Sequence, residues 1–240
     1  MKARALESSQ IRDLSVPLFG RQDELRTLAT ALRARTSCLI AGPIGIGKSR
    51  LLREALAAAE QPFVCLERAG VLHQLLTSLA EQLSCGTGCL TSISLQARTL
   101  NALRTSPRCL ILEDVARADP RMYRFLQHVY YLPGVSLIVT SESRECLGHL
   151  RKLLWDPREQ IVLRPLTGRD ALSLFEAASA NYRLESFDLD AFRCKVLTAA
   201  RGNPGQILTM CRMAGRPEYQ DGRHIKFLPL RMDTLTSFVP

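Results

Sequence analysis

The sequence contains no apolar run near the ~18 residues that a membrane-spanning helix requires, so no membrane association is expected. Its start, Met1-Lys2-Ala3-Arg4-Ala5-Leu6-Glu7, lacks the apolar core of a secretory signal, and a cytoplasmic location is expected. Eight cysteines follow no even framework, and the four histidines do not cluster near the one close pair, Cys85 and Cys89. That excludes the familiar zinc spacings and favours reduced thiols. Cys38, Cys65 and Cys109 lie inside apolar runs, where a thiol behaves as a small hydrophobe. The positive charge has no single tail to which it is confined. The formal net charge is +9, carried by arginines spread along the chain, and it favours anionic partners such as nucleic acid or an acidic protein surface. With 46% hydrophobic and 23% charged residues, 240 residues suffice for a large α/β domain with a smaller accessory part.

What is present is organised around Gly42-Pro43-Ile44-Gly45-Ile46-Gly47-Lys48-Ser49, a complete G-x-x-x-x-G-K-S phosphate loop. The apolar run 38–41 precedes it as a short buried strand. The helix-forming run 51–59 follows. Glycines let the backbone turn its N–H groups onto an anion, and the new helix adds the positive end of its dipole. Lys48 is placed to reach the β- and γ-phosphates of ATP, and Ser49 to hold Mg²⁺. Arg50, beside them, is counted with the nucleotide-contacting residues.

A second decisive stretch is Cys109-Leu110-Ile111-Leu112-Glu113-Asp114, an apolar strand ending in two carboxylates. In parallel α/β sheets ligands bind at the carboxyl ends of strands. Acids there hold Mg²⁺ or its waters and orient an attacking water, which makes Glu113 and Asp114 the candidate metal and catalytic residues. A further strand, 135–139, ends in Thr140-Ser141-Glu142-Ser143. Thr140 there has two equal readings, a sensor of the γ-phosphate or an ordinary cap.

The remaining pattern alternates strands and helices up to Pro165. Strands are expected at 62–66 and 160–164, and helices over 21–35, 72–83, 95–104, 120–131 and 145–154. After Pro165 only helices are expected, over 170–180, around 189–196, and from Pro204 to Ala214. Asn203 would cap the last of them, with proline at its first position. Residues 225–240 read as a strand or a docking tail.

Four ordered motifs resemble those of the AAA+ and STAND ATPases. Leu18-Phe19-Gly20-Arg21-Gln22-Asp23-Glu24 looks like the h-h-G-R-x-x-E box ahead of the phosphate loop. Residues 41–56 are similar to the loop and helix of bacterial STAND regulators. Residues 110–119 resemble their Walker B segment, and Gly202-Asn203-Pro204 resembles the G-x-P motif of the helical lid.

The resemblance implies an α/β fold, a P-loop NTPase with a five-stranded parallel sheet in the order 5-1-4-3-2 flanked by helices, plus a small helical lid. The implied organisation is a lead-in over 1–17, an ATPase core over 18–165, a lid over 166–215 and a tail over 216–240. It further implies Arg21 and Pro204 near the nucleotide base, Glu113 in the metal position and Asp114 in that of the catalytic acid. The family more often has Asp and then Glu, so slow hydrolysis and an exchange of the two roles both stay open. Arg144, Arg151 and Arg158 lie in the region that supplies an arginine finger, and no motif singles one out.

The expected function is an ATP-dependent, Mg²⁺-requiring switch that forms a homo-oligomer on double-stranded DNA. Net charge motivates this, as does the absence of a repeat or effector region after the lid. An ATP/ADP switch for a protein partner, without DNA, is the second reading. A small-molecule kinase is the third, and the Gly-Arg box and lid motif weigh against it.

Overall fold

The structure, a computed structural model, describes residues 16–59, 62–67, 71–86 and 91–237. Cys89 and the 238–240 end of the expected tail fall outside these residues. The described chain packs as two compact units. One runs from Asp23 to Pro43 and from Lys48 to Leu163. The other contains the residues before Asp23, the short segment Ile44–Gly47 and everything from Arg164 onward.

The first unit is built on five parallel strands: β1 (Cys38–Ala41), β2 (Phe63–Glu67), β3 (Cys109–Glu113), β4 (Ser136–Ser141) and β5 (Gln160–Val162). Their order is β2-β3-β4-β1-β5, the expected 5-1-4-3-2. Strands β1 and β3 therefore flank β4, and the chain leaves all three at the same edge. The strands are apolar on both faces, as a parallel sheet covered on both sides must be. Leu39, Val64, Leu66, Leu110, Leu112, Leu137 and Val139 form one core with helices α3 (Leu72–Gln82), α4 (Ser92–Thr105) and α5 (Pro120–Tyr130). The alternate residues Ile40, Ile111 and Ile138 are fully buried too. Helices α1 (Gln22–Ala34) and α2 (Lys48–Ala57) belong to this unit as well; α1 takes its first residue from the other unit.

Three local expectations are corrected. Helix α4 starts at Ser92, earlier than periodicity suggests, because the Thr91 hydroxyl accepts the Ser94 N–H at 3.3 Å. The expected helix over 145–154 is instead two 3-10 turns, Glu145–Leu147 and His149–Lys152. Gly148 separates them with φ +60°, outside any helical region, and bridges to Ala118. Strand β5 ends at Val162, although Leu163 still donates its N–H to the Ala41 carbonyl at 2.8 Å.

The second unit holds α6 (Gly168–Asn181), α7 (Leu189–Ala200) and α8 (Pro204–Ala214), the three expected helices. Phe175, Phe192, Val196, Ile207 and Met210 centre its core. It is not helical throughout, however. Gln220–Asp221 and His224–Ile225 form a two-stranded antiparallel hairpin turning at Gly222 (φ +58°). A fourth helix, α9 (Phe227–Ser237), stands where a strand or loose tail was expected. Pro229 lies in its first turn, where a missing N–H costs the helix nothing, so the proline did not forbid it. Phe227 joins the aromatic core, with its ring centroid 6.3 Å from that of Phe192.

Candidate functional site

The phosphate loop follows β1, as its sequence context requires. Gly45 (φ +78°) and Gly47 (φ +104°) take backbone conformations that side-chain-bearing residues seldom adopt. Gly42 is anchored to the strand tips by its N–H, which donates to the Ser141 carbonyl at 3.2 Å. In the core unit, Lys48 is only 6% exposed although it carries a charge. Its Nζ donates to the carbonyls of Gly42 (2.8 Å) and Pro43 (3.3 Å). Burial pushes the Lys48 pKa below its usual range, and the carboxylates of Asp114, Glu142 and Glu113 oppose that shift.

Ser49, in the first turn of α2, donates its hydroxyl to Oε2 of Glu113 at 2.5 Å. Oε1 of Glu113 accepts from the Cys65 thiol at 3.5 Å. The two carboxylate oxygens are thus held from opposite sides by a hydroxyl of α2 and a thiol of β2. Ser49 and Glu113 offer hard oxygen donors side by side, the set that Mg²⁺ takes. Among the described residues no group of three or more His, Cys, Asp or Glu side chains is arranged around a metal position.

Asp114 leaves β3 in the left-handed region (φ +50°), and its carboxylate end is exposed. Thr140 fixes that turn: its hydroxyl is buried and accepts the Asp114 N–H at 2.8 Å. Ser141 does the same one residue on, donating to the Val115 carbonyl at 2.8 Å. Both polar side chains at the tip of β4 therefore engage the backbone leaving β3. Arg50 pairs with Glu54 at 3.4 Å along α2.

Within the other unit, the tip of the phosphate loop meets the start of α8. Asn203 caps α8 by accepting the Gln206 N–H at 3.2 Å, and its Nδ2 donates to the Ile44 carbonyl at 2.9 Å. The Gly205 N–H donates to the Gly45 carbonyl at 2.8 Å. A Cβ on Gly205 would lie 2.8 Å from both Cα and O of Gly45, so only glycine allows this approach. A Cβ on Gly47 would stand 3.9 Å from Cγ of Pro204. Arg21 is 5% exposed, and its guanidinium donates to the Arg164 carbonyl.

Two contacts escaped the sequence reading. Cys65 was taken only as core, yet β2 lies beside β3 in the expected order. Its register pairs Cys65 with Ile111, on the face that Glu113 shares two residues later. The Gly205–Gly45 approach had no signal beyond the glycine itself.

Similarity to known proteins agrees with this arrangement. The AAA ATPase domain family matches residues 17–138, just over half the chain. No curated protein sequence matches. Among solved structures, the Aeropyrum pernix Orc1 protein in complex with DNA superposes with a TM-score of 0.68 at 18% identity, over 92% of this chain and 66% of that one. A Walker-type ATPase of Pyrococcus abyssi gives 0.58 at 15%, over 92% and 72%. A STAND protein with a tetratricopeptide repeat sensor from Pyrococcus horikoshii gives 0.57 at 16%, over 97% and 35%. This chain thus spans just under two thirds of the Orc1 chain and about a third of the STAND chain. At these identities the structural likeness speaks for the fold, whereas the family match reaches through the phosphate loop and the β3 carboxylates into β4. The chain belongs to the AAA ATPase domain family.

Proposed function

We propose that this chain is an ATP-hydrolysing, nucleotide-dependent switch that assembles as a homo-oligomer on duplex DNA. Residues 18–165 form its ATPase core and 166–215 its lid. The observation that carries the ATPase reading is the 2.5 Å hydrogen bond between Ser49 and Glu113, beside a buried Lys48 whose ammonium donates to the backbone carbonyls of Gly42 and Pro43. A charge so buried favours an anionic partner over peptide oxygens.

In this reading the phosphate loop, Gly42 to Ser49, wraps the β- and γ-phosphates, and Lys48 exchanges its carbonyl partners for phosphate oxygens. Ser49 and Glu113 would hold Mg²⁺, which when bound would neutralise phosphate charge. Asp114 orients the attacking water and accepts its proton. Thr140 positions Asp114 through its backbone. Arg21, Arg50 and Pro204 contribute to nucleotide contact. The Asn203 and Gly205 contacts hold Ile44 and Gly45 of the loop against the start of α8.

The DNA association rests on the net charge of +9 and on the likeness to a structure solved with DNA. The test is ATP turnover at low salt with and without duplex DNA, with Lys48→Ala as the blank. Stimulation that fades as salt rises is expected. Turnover indifferent to DNA would reject the DNA role, and no turnover above the blank would reject hydrolysis.

One observation favours a protein partner instead. Helix α9 exposes Leu228, Met232 and Leu235 at one-turn spacing, 75%, 65% and 51% accessible. Loss of a partner when these three are made polar, with DNA without effect on turnover, would select that reading.

A further inference from the structure

Most cations of this chain are scattered, but one group is held together by backbone. The chain leaving β3 pairs with the segment around Gly148. Arg117 donates its N–H to the Cys146 carbonyl at 2.7 Å, Ala118 to Leu147 at 3.3 Å, and His149 to Ala118 at 3.3 Å. Gly148 is required there, because a Cβ would come within 2.9 Å of the Ala118 carbonyl and 3.2 Å of the Arg117 Cα. The Tyr123 and His149 rings lie 6.3 Å apart, which fixes α5 against the same turn. Helix α5 buries Met122, Phe125, Leu126 and Val129, so Arg121 and Arg124 face solvent. The result is a ridge of exposed cations within the core unit: Arg117, Arg121 and Arg124 on one side, Arg151 and Lys152 on the other.

Nearby carboxylates are engaged locally. Asp119 caps α5 by accepting the Met122 N–H at 2.7 Å, and Glu145 is hydrogen-bonded by Ser143 and interacts with Arg144 and Arg151. Ion pairs among the described residues lie elsewhere, at Asp23–Arg26, Arg50–Glu54, Asp190–Arg193 and Glu218–Arg216. The ridge therefore presents an excess of positive charge on two segments that backbone hydrogen bonds hold together. That fits a polymer with regular negative charge better than it fits a protein surface, where carboxylates are interspersed with cations.

We propose that this ridge binds the phosphate backbone of duplex DNA without reading its sequence, an assignment that rests on the DNA-associated reading above. The test uses the full chain and fluorescence anisotropy with a labelled duplex of arbitrary sequence, between 50 and 200 mM KCl (about the range in which such contacts are lost). Arg121→Gln/Arg124→Gln and Arg151→Gln/Lys152→Gln are compared with wild type. Each pair removes two cations, so the slope of log affinity against log salt should become shallower by about 2. Affinity at the low-salt end should fall at least tenfold, roughly. The ion-paired control Arg193→Gln/Arg216→Gln should keep the wild-type slope. The four ridge residues and Arg216 are exposed and Arg193 is half-buried, and thermal melts check that the folds are equal.

If wild type binds and both ridge pairs keep its slope, the ridge assignment fails while the DNA reading survives. If wild type binds no duplex, both fail together. If the pairs keep the DNA slope but lose capture of polyglutamate, the ridge is a dock for an acidic protein, and the assignment is again overturned.

Discussion

Ser49 and Glu113 are 64 positions apart in the chain and share a 2.5 Å hydrogen bond between α2 and the end of β3. A bond to a charged group contributes about 1.5–3 kcal/mol. Ser49→Ala and Glu113→Ala should each lower stability without nucleotide, and the double variant should be less damaging than their sum by about 1 kcal/mol or more. Denaturant unfolding of the four proteins measures this. Additive losses would mean that the contact has no energetic weight. Turnover should drop at least about 100-fold in each single variant, or roughly 2.7 kcal/mol of barrier.

Asp114 separates backbone from chemistry. Its φ of +50° suits Asp or Asn and penalises a β-branched residue by about 1–2 kcal/mol. Asp114→Asn should melt like wild type yet turn over ATP more slowly. Asp114→Val should lose both stability and turnover. An Asn variant with full turnover would remove Asp114 from the proton-handling role.

Gly205→Ala should destabilise by about 1–3 kcal/mol, because the new Cβ meets backbone rather than a movable side chain. ATP affinity should fall with it, since the Gly45 carbonyl must shift. Gly168→Ala is the matched control, because a Cβ there meets nothing within 4 Å. Calorimetric titration with ATP and urea unfolding read both effects, and equal behaviour of the two variants would refute the close-contact argument.

The buried thiols give a pH dependence. Burial raises Cys38 and Cys211 to about 12 and Cys109 to about 11, from the ordinary 9.0. The unfolded chain loses these protons first, so the thiols leave stability unchanged below pH 9 and reduce it from there toward pH 11–12. Each contributes a slope of up to about 1.4 kcal/mol per pH unit. Cys211→Ala should flatten the decline in urea midpoint between pH 9 and 10.5. At pH 8, alkylation mapped by mass spectrometry should mark exposed Cys194 quickly and leave Cys38, Cys109 and Cys211 unmarked until unfolding.

The sheet was legible because each strand is a short apolar run of the kind that a doubly covered parallel sheet demands, and because the phosphate loop fixes which strand comes first. Strand order came from the family resemblance, not from periodicity. The segment 145–154 misled because Leu147, Leu150 and Leu154 keep a helical rhythm, while Gly148 is drawn into a bridge with Ala118 that no local pattern announces. Helix α9 was missed because its buried positions, Leu230 and Thr234, are few and its apolar residues face outward. At the candidate site, Lys48, Ser49 and Glu113 were legible by motif. The partners that hold them, Cys65 and Thr140, are set by strand register, which becomes visible only when the strands are side by side.

The grip of α8 on the loop tip bears on how such proteins can be recombined. Asn203 and Gly205 hold the carbonyls of Ile44 and Gly45. Any exchange of residues 203–205 must therefore keep an amide side chain at 203 and a bare α-carbon at 205. Gly168, where an added Cβ would meet nothing within 4 Å, carries no such obligation.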